Sequence, residues 1–107
     1  MAELHTHAFR MQLNHGAAAE YKRRHDQLWP ELAHALKAAG IVDYWIFLDE
    51  PTHILFAVLK APADHGMDAL PTQAIVRQWW DYMADLMATE PDHAPVQIAL
   101  QPMFHLA

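Results

Sequence analysis

Two stretches in the middle of the chain, 42–49 and 54–60, are apolar on both faces that an extended strand presents. Successive residues of a strand point to opposite sides. Tyr44, Ile46 and Leu48 therefore share one face, and Trp45 and Phe47 the other. In the second stretch Ile54, Phe56 and Val58 oppose Leu55, Ala57 and Leu59. Both stretches are rich in β-branched and aromatic residues, and Glu50-Pro51-Thr52-His53 between them has the length of a hairpin connection. A sheet whose central strands are apolar on both sides needs a layer on each side. The remaining chain supplies helices for only one. A second copy of the same sheet is the simplest cover for the other, so a homodimer is expected.

Around this hairpin the pattern is regular. Residues 4–13 alternate as a strand, with Phe9, Met11 and Leu13 opposite Arg10 and Gln12. Asn14 suits a helix N-cap and Gly40 a C-terminal stop, with Pro30 breaking the helix between them near Trp29. Residues 62–70 suit a short helix or irregular segment. Thr72 can cap a second helix over 73–88, whose stripe is Ile75, Val76, Trp79, Met83, Leu86 and Met87. Residues 89–95 read as a loop and 96–105 as a last strand, which Pro102 demotes to an edge or bulged position. The order strand, helix, strand, strand, helix, strand is the ferredoxin-like βαββαβ arrangement, an α+β fold in one domain over residues 1–107.

Composition narrows the chemistry. With no cysteine and no serine, the chain excludes disulfides, thiolate catalysis and a serine triad. Gly16, Gly40 and Gly66 are too far apart for a phosphate-cradling loop. A net charge of −6 argues against nucleic acid, and Lys22-Arg23-Arg24, the one basic cluster, reads as the solvated face of the first helix. No apolar run approaches the roughly 18 residues of a membrane span. Met1-Ala2-Glu3-Leu4-His5-Thr6-His7 lacks the basic and apolar regions of a signal peptide, which points to the cytoplasm. Nine histidines invite a metal. His5 and His7 share a strand face, but no third ligand is spaced to join them, and Asp43 and Asp92-His93 would have to converge from afar. Neither a metal nor a cofactor is expected.

What remains is acid–base chemistry by histidine. Tyr21 and His25 lie at i and i+4 on the face continued by Leu28, Trp29, Leu32 and Leu36, so both belong to the inward stripe. A lone inward histidine is commonly a satisfied core residue. A second aromatic cluster, Arg77-Gln78-Trp79-Trp80-Asp81-Tyr82-Met83, changes the balance. Adjacent tryptophans on a helix diverge by about 100°, so one of them lines an edge or cavity. A histidine beside Tyr21, Tyr44, Trp79 and Trp80 suits a sugar, whose C–H face stacks on rings while its hydroxyls find partners. It suits a flat polyketide-like aromatic equally well.

The segment Glu20-Tyr21-Lys22-Arg23-Arg24-His25, continued by Trp29-Pro30-Glu31-Leu32, resembles the first-helix signature of L-rhamnose mutarotases. Tyr44 with Leu48-Asp49, Leu55-Phe56-Ala57, and Gln78-Trp79-Trp80-Asp81-Tyr82-Met83 extend the likeness. Met11-Gln12 and Pro91-Asp92-x-x-Pro95-Val96 carry it to nearly the whole chain. The resemblance implies a dimeric α+β barrel of ferredoxin-like subunits that interconverts the α and β anomers of L-rhamnose without a cofactor. Carried over by position, His25 matches the family's proton donor, and Tyr21, Tyr44, Trp79 and Trp80 its sugar-contacting residues. Asp26-Gln27, Glu90 and His93 depart from the family pattern beside the inferred site. The base that removes the anomeric proton stays open among a water, a tyrosine and a carboxylate such as Asp92.

Two readings from other classes stand beside this one, because fold alone does not decide function. A cofactor-free monooxygenase of the dimeric α+β barrel type would use a similar aromatic and histidine pocket. A non-catalytic small-molecule binding module would keep His25 only as a hydrogen-bonding core residue.

Overall fold

In the computed structural model, which describes residues 3–107, four antiparallel strands form one sheet in the order β2-β3-β1-β4. Met1 and Ala2, part of the segment read as lacking a signal peptide, lie outside the described residues. The chain runs β1 (Leu4–Gln12), α1 (Ala18–Asp26), α2 (Pro30–Ala38), β2 (Asp43–Asp49), β3 (Ile54–Pro62), α3 (Ala74–Met83) and β4 (Ile98–Ala99). Short 3₁₀ segments at Met67–Thr72 and Ala84–Leu86 flank α3. This is the expected βαββαβ order with the first helix in two pieces. No helix of the described residues is long and apolar enough to cross a membrane.

The central hairpin sets the frame. β2 pairs with β3 from Asp43↔Lys60 to Asp49↔Ile54, and β3 pairs with β1 from Leu4↔Pro62 to Gln12↔Ile54. On β3 every second residue, Leu55, Ala57, Leu59 and Ala61, is buried against the helices. Leu55 and Ala57 pack with Met11, Leu13, Tyr21, Leu32, Val76, Trp79, Met83 and Leu86 in the main core, while Leu59 and Ala61 pack with Ile41 in a smaller one. The other face keeps Trp45 and Phe47 43% and 58% exposed, with half-buried Phe56 and Val58 beside them. Both faces of the hairpin are apolar and the helices cover only one.

Pro30 ends no helix; it starts one. It occupies the first turn of α2 behind an extended Trp29, a position where a missing N–H breaks no helical bond and its fixed φ suits the helix. α1 stops at Asp26, and residues 27–29 turn the chain instead of bending a continuous helix. Gly40 follows the end of α2 at φ +103°, the left-handed geometry expected of a glycine stop.

Three expected boundaries move. Asn14 does not cap α1: Ala17 occupies that position without a side-chain bond, while the Asn14 amide donates to the Asp85 carbonyl at 3.2 Å. Thr72 does not cap α3 either, since its hydroxyl donates back to the Ala69 carbonyl. The helix expected over 73–88 ends at Met83, because Met87 bridges to Leu13 and the Ala88 N–H donates to the Gln12 carbonyl. Those residues extend β1's environment rather than the helix.

The last strand is much shorter than 96–105. Ile98–Ala99 pairs with Arg10 and Phe9, and the Leu100 N–H donates to the Ala8 carbonyl at 3.0 Å. In that register the next donor facing β1 would be residue 102, opposite Thr6. Pro102 has no N–H to give. The ladder stops there, and Met103, Phe104 and Leu106 stand 89%, 83% and 81% exposed.

Candidate active site

The site grows from α1. Tyr21 is buried and His25, one turn later, is half-buried, with their rings 4.3 Å apart. His25 Nδ1 lies 2.9 Å from the Tyr21 carbonyl oxygen. A carbonyl only accepts, so Nδ1 carries the proton and donates it. That bond fixes the neutral tautomer and leaves Nε2 as the atom that can take up or give a proton. Burial pulls the His25 imidazole below its ordinary range; the Tyr21 carbonyl and, less so, Asp26 oppose the shift.

α3 supplies the facing wall. Trp79 is buried and meets the His25 ring edge-to-face, with centroids 5.3 Å apart at 89°. Trp29 meets Trp79 at 5.1 Å and 85°, and Tyr82 lies 5.3 Å from Trp29 and 5.7 Å from Trp79. Trp80 is half-buried and packs at the rim of the same core. Tyr44 comes from β2, opposite Leu59 on the helix-covered side of the sheet.

Burial dominates the electrostatics of both phenols. Burial pushes the Tyr44 hydroxyl up to about 12, although the residue as a whole is 39% exposed. Tyr21 is pushed up too, first by burial and then by Tyr44. Both stay protonated near neutrality and act as hydroxyl donors and acceptors. Neither is suited to be the base left open by the sequence. Asp92 lies exposed in the late loop, where its carboxylate accepts the Ala94 N–H.

Ring contacts thus join Tyr21, His25 and Trp79, while Tyr44 is placed only on the same, helix-covered side of the sheet. Trp80 occupies the neighbouring face of α3. Trp29 and Tyr82 belong to the same aromatic cluster without having been singled out as site residues. The i, i+3 spacing of Trp79 and Tyr82 was the available signal for one; Pro30, which holds Trp29 extended, was the signal for the other.

Arg24 departs from its expected place on a solvated face. Lys22 and Arg23 do sit there, paired with Asp26 and Glu20. The Arg24 side chain is only 12% exposed and bonds Glu20, Asp85 and the Tyr82 carbonyl. Arg23 and then Arg24 hold the Glu20 carboxyl down at about 2.

The metal candidates do not gather. His7 meets His65 edge-on at 5.4 Å, and its buried Nε2 has no hydrogen-bond partner among the described residues. His93 pairs with Asp81 at 2.8 Å. No three His, Cys, Asp or Glu side chains converge as metal ligands among the described residues. Two recesses lie away from His25. One, of about 270 Å³, is lined by Gly16, Leu48, Glu50 and His53 among others; one of about 140 Å³ is lined by Arg10, Gln12, Ile54 and Ile98 among others.

A sequence profile of L-rhamnose mutarotases matches residues 6–106. An L-rhamnose mutarotase of Burkholderia cenocepacia is 64% identical over 103 residues, covering 96% of this chain and 99% of the relative. The crystal structure of an L-rhamnose mutarotase from Formosa agariphila superposes with a TM-score of 0.89 at 47% identity, over 96% of this chain and 99% of that one. A structure from Pseudomonas aeruginosa, 14% identical, shares the fold with a TM-score of 0.56 over 97% of each chain. Matched along nearly its whole length, the chain belongs to the L-rhamnose mutarotase family.

Proposed function

We propose that the chain, as one domain over residues 1–107, is an isomerase that interconverts the α and β anomers of L-rhamnopyranose without a cofactor. His25 acts as the general acid, and Tyr21, Tyr44, Trp79 and Trp80 hold the sugar. Protonated at Nε2, His25 gives its proton to the ring oxygen while a base, a water in this reading, removes the proton of the anomeric hydroxyl. The bond between the anomeric carbon and the ring oxygen breaks and the aldehyde forms. Rotation about the adjacent C–C bond presents the other carbonyl face. The steps then reverse, with His25 retaking the proton. No covalent bond to the protein is made, and the atoms and electrons balance within the sugar.

The observation that carries this reading is the Nδ1–carbonyl bond, which engages one ring nitrogen and leaves Nε2 for proton transfer beside an aromatic wall. Depressed by burial, the imidazole is largely neutral at pH 7, and its protonated form is a stronger acid than a free imidazolium. Aromatic faces suit the C–H side of a sugar, and the two neutral phenols suit its hydroxyls.

The same reading includes a homodimer in the cytoplasm, closed as an α+β barrel with the two sheets face to face. Supporting it are the exposed Trp45 and Phe47 on the uncovered sheet face and the exposed Met103, Phe104 and Leu106 beyond β4. Large exposed apolar side chains grouped in this way mark association sites. Exchange NMR of L-rhamnose anomers with and without the protein tests the activity. Faster exchange is expected; sugar binding without it would return the chain to a binding module. Sedimentation at low micromolar concentration tests the dimer, and a species of 12.2 kDa alone would remove it.

A further inference from the structure

We infer that Arg24 is a positioning residue for the reaction: its guanidinium sets the helix carrying His25 against the helix carrying the sugar-stacking indoles. The inference rests on the roles proposed above for His25, Trp79 and Trp80.

α1 carries Tyr21 and His25, and α3 carries Trp79 and Trp80. Among the described residues, the side-chain hydrogen bonds of α1 are otherwise local to α1 and Gln27: Lys22 to Asp26, Arg23 to Glu20 and Gln27. Arg24 alone reaches another element. Its Nη1 donates to the Tyr82 carbonyl at 2.6 Å in the last turn of α3 and to Asp85 Oδ1 at 2.9 Å just beyond. Nη2 adds Asp85 Oδ2 at 3.3 Å, and Nε returns to Glu20 Oε2 at 2.7 Å within α1. The planar fork is therefore occupied on both sides, a geometry a lysine cannot copy.

The same guanidinium lies 4.4 Å from the centroid of the Tyr82 ring, a cation–π distance. Tyr82 packs on Trp29 and Trp79, and Trp79 packs on His25. Arg24 thus holds the two helices by their backbone and carboxylate ends and braces the aromatic wall from behind. It adjoins His25 in sequence, so a shift of the fork moves the imidazole relative to a sugar seated on the indoles. Proton transfer is more sensitive than stacking to a displacement of that kind, because the donor must lie at hydrogen-bond distance from the ring oxygen. Arg24 itself is not placed against the sugar.

The test compares Arg24→Met and Arg24→Lys with the wild-type protein. Anomer exchange by NMR gives kcat and KM, tryptophan fluorescence titrated with L-rhamnose gives Kd, and circular dichroism reports the fold. Arg24→Met should lower kcat about tenfold, the scale of a modest misplacement, while Kd stays within about twofold. Arg24→Lys, which keeps the charge and loses the fork, should recover only part of kcat. A folded Arg24→Met variant with wild-type kcat overturns the inference, as does a loss carried entirely by Kd. If Arg24→Met does not fold, Asp85→Asn decides: a lowered kcat at unchanged Kd supports the tether and an unchanged kcat overturns it. His25→Gln, run in parallel, keeps the two readings apart. Wild-type exchange in that variant sinks the role of His25; wild-type exchange in the Arg24 variants alone sinks only the tether.

Discussion

Replacing His25 by glutamine separates hydrogen bonding from proton transfer at one position. Glutamine can still donate toward the Tyr21 carbonyl, but it cannot titrate. The structural loss is small. One side-chain hydrogen bond of 2.9 Å is at risk, worth about 1 kcal/mol net, and one edge-to-face contact with Trp79 adds about 0.5–1.5 kcal/mol. His25 is half-buried, so the variant should remain folded, with a urea midpoint shift equivalent to at most roughly 1.5–2.5 kcal/mol. Anomer exchange should instead fall roughly 10²–10⁴-fold, the share of a positioned acid or base. Free sugars mutarotate slowly in water, so exchange NMR is read against a protein-free control. Stability supplies a second readout. The folded imidazole titrates below its ordinary value because burial disfavours the cation. On acidification the unfolded chain takes up a proton near pH 6.5 that the folded chain resists until its lower pKa is reached. Wild-type stability should therefore decline across that window, and His25→Gln should lack this part of the decline. A folded His25→Gln protein that exchanges anomers at the wild-type rate refutes the mechanism and leaves His25 a structural residue.

Trp79→Ala removes a buried side chain touching three other rings and should cost about 3–5 kcal/mol, read as a lowered denaturant midpoint. Trp80→Ala, at the half-buried rim, should unfold the protein less while weakening sugar affinity by fluorescence titration; unchanged affinity takes Trp80 out of the pocket. Tyr44→Phe keeps the ring and loses a hydroxyl, so L-rhamnose should bind several-fold more weakly, about 1 kcal/mol, with little change in melting temperature. Phe47→Glu places a charge on the uncovered sheet face and should shift sedimentation from dimer to monomer; an unchanged dimer would move the interface elsewhere.

Much of the frame was legible because its signals are local. Strand faces follow from a period of two, so alternation groups Leu55, Ala57 and Leu59 on one face and Trp45 and Phe47 on one face of their own strand; which face the helices cover, both being apolar, only the packed chain decides. Gly40 stops α2 and Pro30 marks the helix break because both act through their own backbone. Tyr21 and His25 share a face by helical geometry alone, and Pro102 ends the edge ladder by lacking a donor. The residues that escaped such reasoning have partners distant in sequence. Asn14 gives its amide to Asp85, 71 positions away, rather than to its own helix. α3 ends early because Met87 and Ala88 turn to β1. Arg24 sits in a run that reads as solvated, yet it is drawn inward by Asp85 and the Tyr82 carbonyl, 61 and 58 residues on. Local pattern determines which face a side chain occupies; only the packed chain decides which distant group satisfies it, because that choice is made by geometry after the helices and sheet have met.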